Sequence, residues 1–235
     1  MPYNCCPVIT QFYREIKYEA RSADEYEFDE VKSYEEVTLM PPSVDLYRPV
    51  VLIGPPGIGR NELKRRLILF DSKKFATTIP TTSRPQRPGE TEGVEYYFRS
   101  RLQMEKLIRE RRFNIMDQHR TCILNPHPQA VRALRTPELK PYFIFVKPPP
   151  YPTLEATRSC AEVRSTFDSD YSRGFTSSEL LQMIETGNRL EATFGHFFDY
   201  VLINGNLEFA FRELVEAISS MQTQPCWVPK DWVSS

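Results

Sequence analysis

The chain lacks any apolar run approaching the ~20 residues that a membrane-crossing helix needs, so no transmembrane segment is expected. It also lacks an excess of either charge. Thirty Lys and Arg stand against 31 Asp and Glu, for a net charge of −1, which implies no general affinity for nucleic acid. Cysteine is sparse and odd in number. The five thiols, at 5, 6, 122, 160 and 226, show no C-x-x-C spacing, and free thiols in a reducing compartment fit them best. The start, Met1-Pro-Tyr-Asn-Cys-Cys, has neither a basic segment nor an apolar one, so no secretory leader is expected. Cys5 and Cys6 are potential palmitate acceptors, but without a nearby anchor motif an exposed terminal pair is the simpler reading. No internal repeat is visible.

What the chain does contain is enough material for one or two domains: 235 residues, 40% hydrophobic and 26% charged. Its 20 prolines fall largely in connecting segments. Residues 1–47 stand apart. Positions 14–36 carry nine acids and four bases with Tyr18, Tyr26 and Tyr34 interspersed and no clear apolar face, and residues 1–47 are expected to be an acidic, mobile or weakly helical connector. From Val50 onward, strand and helix patterns alternate. Val50–Ile53 is a continuous apolar run of the kind that a buried parallel strand shows, and Thr121–Asn125, Tyr142–Val146 and Tyr200–Ile203 read as further buried strands. Leu63, Leu67 and Phe70 recur at helical spacing, as do Leu207, Phe211, Leu214, Val215 and Ile218. Ser100 with Gln103, and Thr176 with Glu179, form capping-box pairs ahead of apolar helical residues. The alternation predicts an α/β domain on a mostly parallel sheet over 48–222, closed by a C-terminal strand within 223–235 on which Pro229 requires an edge.

Two motifs carry the chemistry. After the Val50–Ile53 strand comes Gly54-Pro-Pro-Gly57-Ile-Gly59-Arg60-Asn61. The phosphate loop G-x-x-x-x-G-K-S/T uses glycines so that backbone N–H groups wrap phosphates, a Lys for the terminal phosphates and a hydroxyl for Mg²⁺. Gly54 and Gly59 hold the glycine positions, while Arg60 replaces the Lys and Asn61 the hydroxyl. A guanidinium fork does not replace a point-charge ammonium, and an amide offers the metal no hydroxyl. A glycine turn feeding an ordinary amphipathic helix also fits these residues. The second motif is Thr81-Thr82-Ser83-Arg84-Pro-Gln-Arg87-Pro-Gly89-Glu90, followed by Gly93-Val-Glu-Tyr96-Tyr-Phe98. Arg84 and Arg87 suit a phosphate monoester, whose oxygens arginine forks hold in pairs, and Tyr96 adds a phenol donor. Taken alone, such a pair also suits a solvated turn.

Together these motifs resemble the guanylate kinase signature, T-T-x-R-x-x-R-x-G-E followed by G-x-D/E-Y-x-F. The stretch 139–149, Phe198-Asp199 and the ending Trp227-Val-Pro with Trp232-Val are similar to the membrane-associated guanylate kinase homologues, in particular the membrane-palmitoylated-protein subfamily. Phe28–Val37 is similar to that subfamily's entry into its kinase-like domain. The resemblance runs from about Phe28 to Ser235. It implies a phosphate-loop NTPase-like parallel sheet and a scaffold that binds partner proteins, or their phosphopeptides, in junctional or synaptic complexes at the cytoplasmic side of the plasma membrane. It carries Arg84, Arg87 and Tyr96 over as the phosphate site and Arg158 as a lid residue. It implies no catalytic residue, cofactor or metal here, and an intramolecular contact with a Src-homology-3 module where one is present. No PDZ segment is expected ahead of Met1, and at most the last edge of a Src-homology-3 fold within residues 1–20.

Several departures weigh against catalysis. The family's paired Asp falls on Asn125 and His127, and an amide plus an imidazole do not hold a metal as two carboxylates do. His127, between two prolines, reads as a surface residue. A second lid Arg falls near Met183, which cannot stabilise transferring charge. Phe113 to Arg120 are only eight residues, spanning at most ~28 Å extended or ~12 Å as helix. The family places two strands and a helix there, so a reduced GMP-binding lobe is expected. The competing readings are a weakly active nucleoside monophosphate kinase, and a shortened isoform whose cleft binds nothing.

Overall fold

Val50–Ile53 (β2) is completely buried because it lies in the middle of a parallel sheet covered on both faces. The computed structural model describes residues 35–42, 47–78, 81–93, 96–103, 120–158, 162–164 and 172–233. The central sheet contains β2, Phe75–Ala76 (β3), Thr121–Leu124 (β6), Tyr142–Lys147 (β7) and Tyr200–Ile203 (β10), while Glu162–Arg164 (β8) and Ser172–Gly174 (β9) pair separately as an antiparallel ribbon. The spatial order in the central sheet is β10-β7-β2-β6-β3, every pair parallel. The chain leaves β2 toward β3, fills in β6, then crosses β2 to add β7 and β10. Strand addition therefore reverses beside β2, and open α/β sheets bind ligands outside the carboxyl ends of strands at such a reversal. The loop carrying Gly54 leaves β2 at that end.

The continuous apolar runs serve both faces at once. Val50, Leu52, Ile144 and Val146 pack with Leu63 and Leu67 of Arg60–Phe70 (α1), Leu154 of Tyr151–Arg158 (α3), Leu180 and Met183 of Ser177–Phe194 (α4), and Leu214 and Ile218 of Leu207–Thr223 (α5). Val51, Ile53, Phe143 and Phe145 face the other way, against Val131 of Val131–Leu134 (α2) and Phe198. Phe145 and Phe198 stack at 4.9 Å. Phe70, expected on the buried face of α1, is 63% exposed. It sits in the last turn of the helix, where it makes only an edge contact with Phe211.

The expected capping boxes form. Thr176 accepts from the Glu179 N–H while the Glu179 carboxylate accepts from the Thr176 N–H, which starts α4. Ser100 and Gln103 make the same reciprocal pair ahead of a helical turn at 101–103. Leu107, Ile108 and the eight-residue connection ahead of β6 lie, except for Arg120, outside the described residues. So does most of the acidic 14–36 segment.

One strand escaped the sequence reading. Val37–Met40 (β1), inside the segment expected to be a connector, pairs antiparallel with Cys226–Pro229 (β11). The C-terminal strand expected within 223–235 is Cys226–Pro229. It ends at Pro229, whose fixed φ leads into a 3₁₀ turn over Lys230–Trp232. That turn inserts Trp232, 4% exposed, beside Arg48 and Arg135, whose guanidinium carbons lie 6.0 and 5.5 Å from its ring. Arg48 is itself buried and donates to the carbonyls of Lys140 and Pro141 just before β7. Arg135 also takes a bidentate pair with Glu35 at 2.6 and 2.5 Å. The same floor holds Asp199, which accepts from the Phe143 N–H at 2.7 Å. Burial pushes its carboxyl up to about 6, against the opposing pull of Arg48, the Phe143 N–H and Arg135. The two ends of the domain are thus clamped across the amino-terminal edge of the sheet, opposite the Gly54 loop.

Candidate phosphate site and the degenerate nucleotide loop

Gly54 turns out of β2 against the backbone of β7. A Cβ there would lie 2.6 Å from the Val146 carbonyl oxygen, so only glycine fits. Gly57 and Gly59 have φ of 79° and 101°, the left-handed region that glycine enters without strain. These features give the loop the bend of a phosphate cradle. Its surroundings are the chain's own side chains. A Cβ on Gly57 would meet Met183 at 2.9 Å and Phe175 at 3.2 Å, and one on Gly59 would meet the Asn204 amide at 2.9 Å. The Ile58 carbonyl accepts from Arg158 Nη2 at 3.1 Å and from Asn204 Nδ2 at 2.6 Å.

The two residues that replace the loop's chemistry are also engaged. Arg60 points its Nη1 at the Pro126 carbonyl at 3.4 Å, and burial lowers its pKa. Asn61 Oδ1 accepts from Asn125 Nδ2 at 2.9 Å. The position expected to give Mg²⁺ a hydroxyl and the position expected to give it a carboxylate are thus two neutral amides bonded to each other. Magnesium takes hard oxygen donors, usually with one or two carboxylates. These residues do not fit a magnesium nucleotide. No cluster of three or more His, Cys, Asp or Glu with metal-binding geometry occurs among the described residues. His127 is exposed and accepts the Gln129 N–H at the start of a 3₁₀ turn.

The second motif forms a separate arm. Thr81–Thr82 (β4) pairs in parallel with Tyr97–Phe98 (β5). A turn at Gly93, φ 78°, brings Glu92 opposite Tyr96, and the Glu92 carboxylate holds the arm by accepting from the Phe98 N–H and from Arg99. Arg84 lies against Tyr96, and Arg87 is tied to the same arm through its backbone N–H on Glu90. The Arg84 guanidinium lies 4.7 Å from the Tyr96 ring centre and 5.5 Å from that of Phe98. Its fork is not open, however. Nη1 donates to Glu90 Oε2 at 2.7 Å and to the Pro85 carbonyl at 3.0 Å, and Nη2 donates to Glu90 Oε1. The Arg87 N–H donates to the same Glu90 Oε2 at 2.9 Å. Hydrogen bonds from Arg84 and from the Arg87 backbone hold the Glu90 carboxyl down at about 2. Glu90 was legible only as a letter of the motif. Nothing in spacing says that its carboxylate folds back into the fork. Asn204, 1% exposed and bound to the loop, was missed entirely, because it follows β10 far along the chain.

The model of the guanylate kinase family matches the chain in two pieces, residues 46–114 and 113–221. The break falls at Phe113-Asn114. Among curated relatives, MAGUK p55 subfamily member 7 of Danio rerio is 37% identical over 93% of this chain and 42% of its own length. MAGUK p55 subfamily member 2 of Mus musculus is 38% identical over 89% and 40%, and protein PALS2 of Homo sapiens is 32% identical over 97% and 45%. The chain spans less than half the length of these relatives. The first alignment runs over 239 positions, more than the 235 residues here, although only 93% of the chain takes part, so the relative has positions with no counterpart in this chain. Similar solved structures are the SH3-kinase fragment of tight junction protein 3, at 21% identity, TM-score 0.48 and 84% and 66% coverage of the two chains. A guanylate kinase from Anaplasma phagocytophilum follows at 19%, 0.48, 80% and 90%.

Proposed function

The chain belongs to the guanylate kinase family, and because it departs from that family's chemistry where phosphoryl transfer is performed, we propose that it is a non-catalytic adaptor domain that binds partner proteins. The observation that carries this reading is the hydrogen bond between Asn61 and Asn125. It joins two positions that phosphoryl transfer requires as separate oxygen donors around a metal. With Arg60 desolvated against a backbone carbonyl, the loop also lacks the mobile ammonium that follows the terminal phosphate. His127 and Met183 add nothing that restores the charge balance.

The recognition site is the arm of Arg84, Arg87 and Tyr96, and its ligand is a phosphorylated peptide of a partner at the cytoplasmic face of cell junctions or synapses. Kinship with MAGUK p55 and PALS proteins supports the scaffold role. The two-piece family match supports a lobe shortened beside Phe113, which leaves the ligand partly uncovered and its binding weak. A second surface supports contact with a Src-homology-3 module. Val37, Leu39 and Trp227 share one face of the β1–β11 ribbon, each nearly half exposed, with Leu39 opposite Trp227. No helix among the described residues is long and apolar enough to cross a membrane.

Titration of a phosphoserine peptide by calorimetry tests the reading. The peptide is expected to bind weakly, and Arg84→Ala to reduce that affinity by about tenfold or more, since the charge-assisted hydrogen bonds of the fork are lost. Exposure of the site makes the affinity fall with added salt. An unchanged affinity in Arg84→Ala would move the recognition surface elsewhere.

A further inference from the structure

We propose that Glu90 is the selectivity element of the phosphate site: an internal carboxylate that occupies the Arg84 fork and yields to a phosphate dianion but not to another carboxylate. The inference rests on the Arg84 site being the place where phosphate binds. It goes further by naming what the ligand must displace, and therefore which ligands fail.

The geometry is that of a filled site. Both ends of the Arg84 fork point at the two oxygens of one carboxylate, the arrangement in which arginine grips an external anion. The Arg87 backbone N–H adds a third donor to that carboxylate. Nη1 is shared with the Pro85 carbonyl, and the Tyr96 side chain is a further partner of the guanidinium. An incoming phosphate therefore cannot take the two ends of the fork while Glu90 holds them. The side chains of Arg84 and Glu90 are 26% and 18% exposed, and the Tyr96 and Phe98 rings flank the guanidinium.

Binding is then an exchange of anions at one cation. A carboxylate on a peptide offers one charge and two oxygens, no more than Glu90 already supplies without the entropic cost of association. A phosphoserine carries −1.5 to −2 charges at pH 7 and three acceptor oxygens, enough to take the Arg84 fork and engage Arg87 as well. A released Glu90 side chain has water available on the exposed side of the arm. The latch thus rejects acidic peptides and phosphate-mimicking Asp or Glu substitutions while admitting true phosphomonoesters.

The test compares a phosphoserine peptide with the same peptide carrying Glu in place of phosphoserine, titrated by calorimetry into the wild-type chain, Glu90→Gln and Glu90→Ala. Gln keeps the shape of Glu90 and an acceptor for the Arg87 N–H, and thermal melts of both variants report on folding. The expected result is phosphopeptide binding about tenfold tighter in Glu90→Gln, in line with the release of a charge-assisted pair. A larger gain is expected for the Glu peptide, so that the preference for phosphate shrinks. Phosphopeptide binding that is lost in Arg84→Ala but unchanged or weaker in both folded Glu90 variants would overturn the latch alone, assigning Glu90 to positioning Arg84. Absence of phosphopeptide binding to every variant would overturn the latch together with the phosphate site beneath it.

Discussion

Trp232→Ala is expected to lower the stability of the domain by about 3–5 kcal/mol, the range for removing a buried aromatic side chain. For a domain of this size that is a drop of roughly 6–20 °C in melting temperature. The expectation exceeds what sequence position would indicate, since Trp232 stands fourth from the C-terminus. The 3₁₀ turn after Pro229 folds the indole inward until it is 4% exposed. There it touches the buried Arg48 guanidinium and the Arg135 guanidinium that pairs with Glu35. Cation–π contacts of this kind add ~0.5–2 kcal/mol beyond area burial. Its loss also frees the turn that carries β11 onto β1, so Glu36 and Lys230, joined at their backbones and side chains, separate with it. Circular dichroism melts of the wild-type chain and Trp232→Ala provide the check. A shift below about 2 °C would mean that the C-terminal turn is not docked in solution.

Gly54→Ala is expected to cost about 3 kcal/mol, at the upper end for overpacking a rigid site. The new methyl lies 2.6 Å from the Val146 carbonyl oxygen and 3.3 Å from the Ile58 side chain. The first neighbour is backbone near the carboxyl end of β7, where Val146 pairs with Leu202 of β10 and the preceding Phe145 pairs with Ile53 of β2, so it cannot retreat cheaply. The prediction separates two reasons for keeping a glycine here. If the loop served nucleotide alone, a chain that does not use nucleotide would tolerate alanine. If glycine is demanded by the packing of β2 on β7, alanine destabilises the fold without any ligand present. Chemical denaturation of the ligand-free variant distinguishes them, and an unchanged midpoint would refute the packing account.

The buried elements were the legible ones. Val50–Ile53 and Tyr142–Val146 read as strands because each is an unbroken apolar run buried on both faces of the sheet, and Tyr200–Ile203 is the apolar run at the sheet edge, with Leu202 buried and Ile203 exposed. Helix α4 read well because its start carries a capping box, and α5 because its apolar residues keep period from Leu207 to Ile218. Val37–Met40 was illegible because four residues with a half-exposed face give little signal, and its partner is the far end of the chain. Phe70 was misplaced because periodicity continues to the end of a helix, whereas the sheet beneath it does not. At the site, residue types were legible and states were not. The loss of the loop's Lys and hydroxyl was visible in Arg60 and Asn61. That Asn61 and Asn125 bond to each other, and that Glu90 fills the Arg84 fork, depend on side-chain geometry that spacing does not encode.

A non-catalytic adaptor domain must show no phosphoryl transfer. The measurement is a coupled assay of ADP formation with ATP, GMP and Mg²⁺. Preorganised transition-state donors commonly contribute about 10²–10³-fold each, so losing the loop Lys, the metal hydroxyl and the paired carboxylates together leaves no turnover above the enzyme-free control. Turnover that exceeds that control and disappears in Arg84→Ala would contradict it.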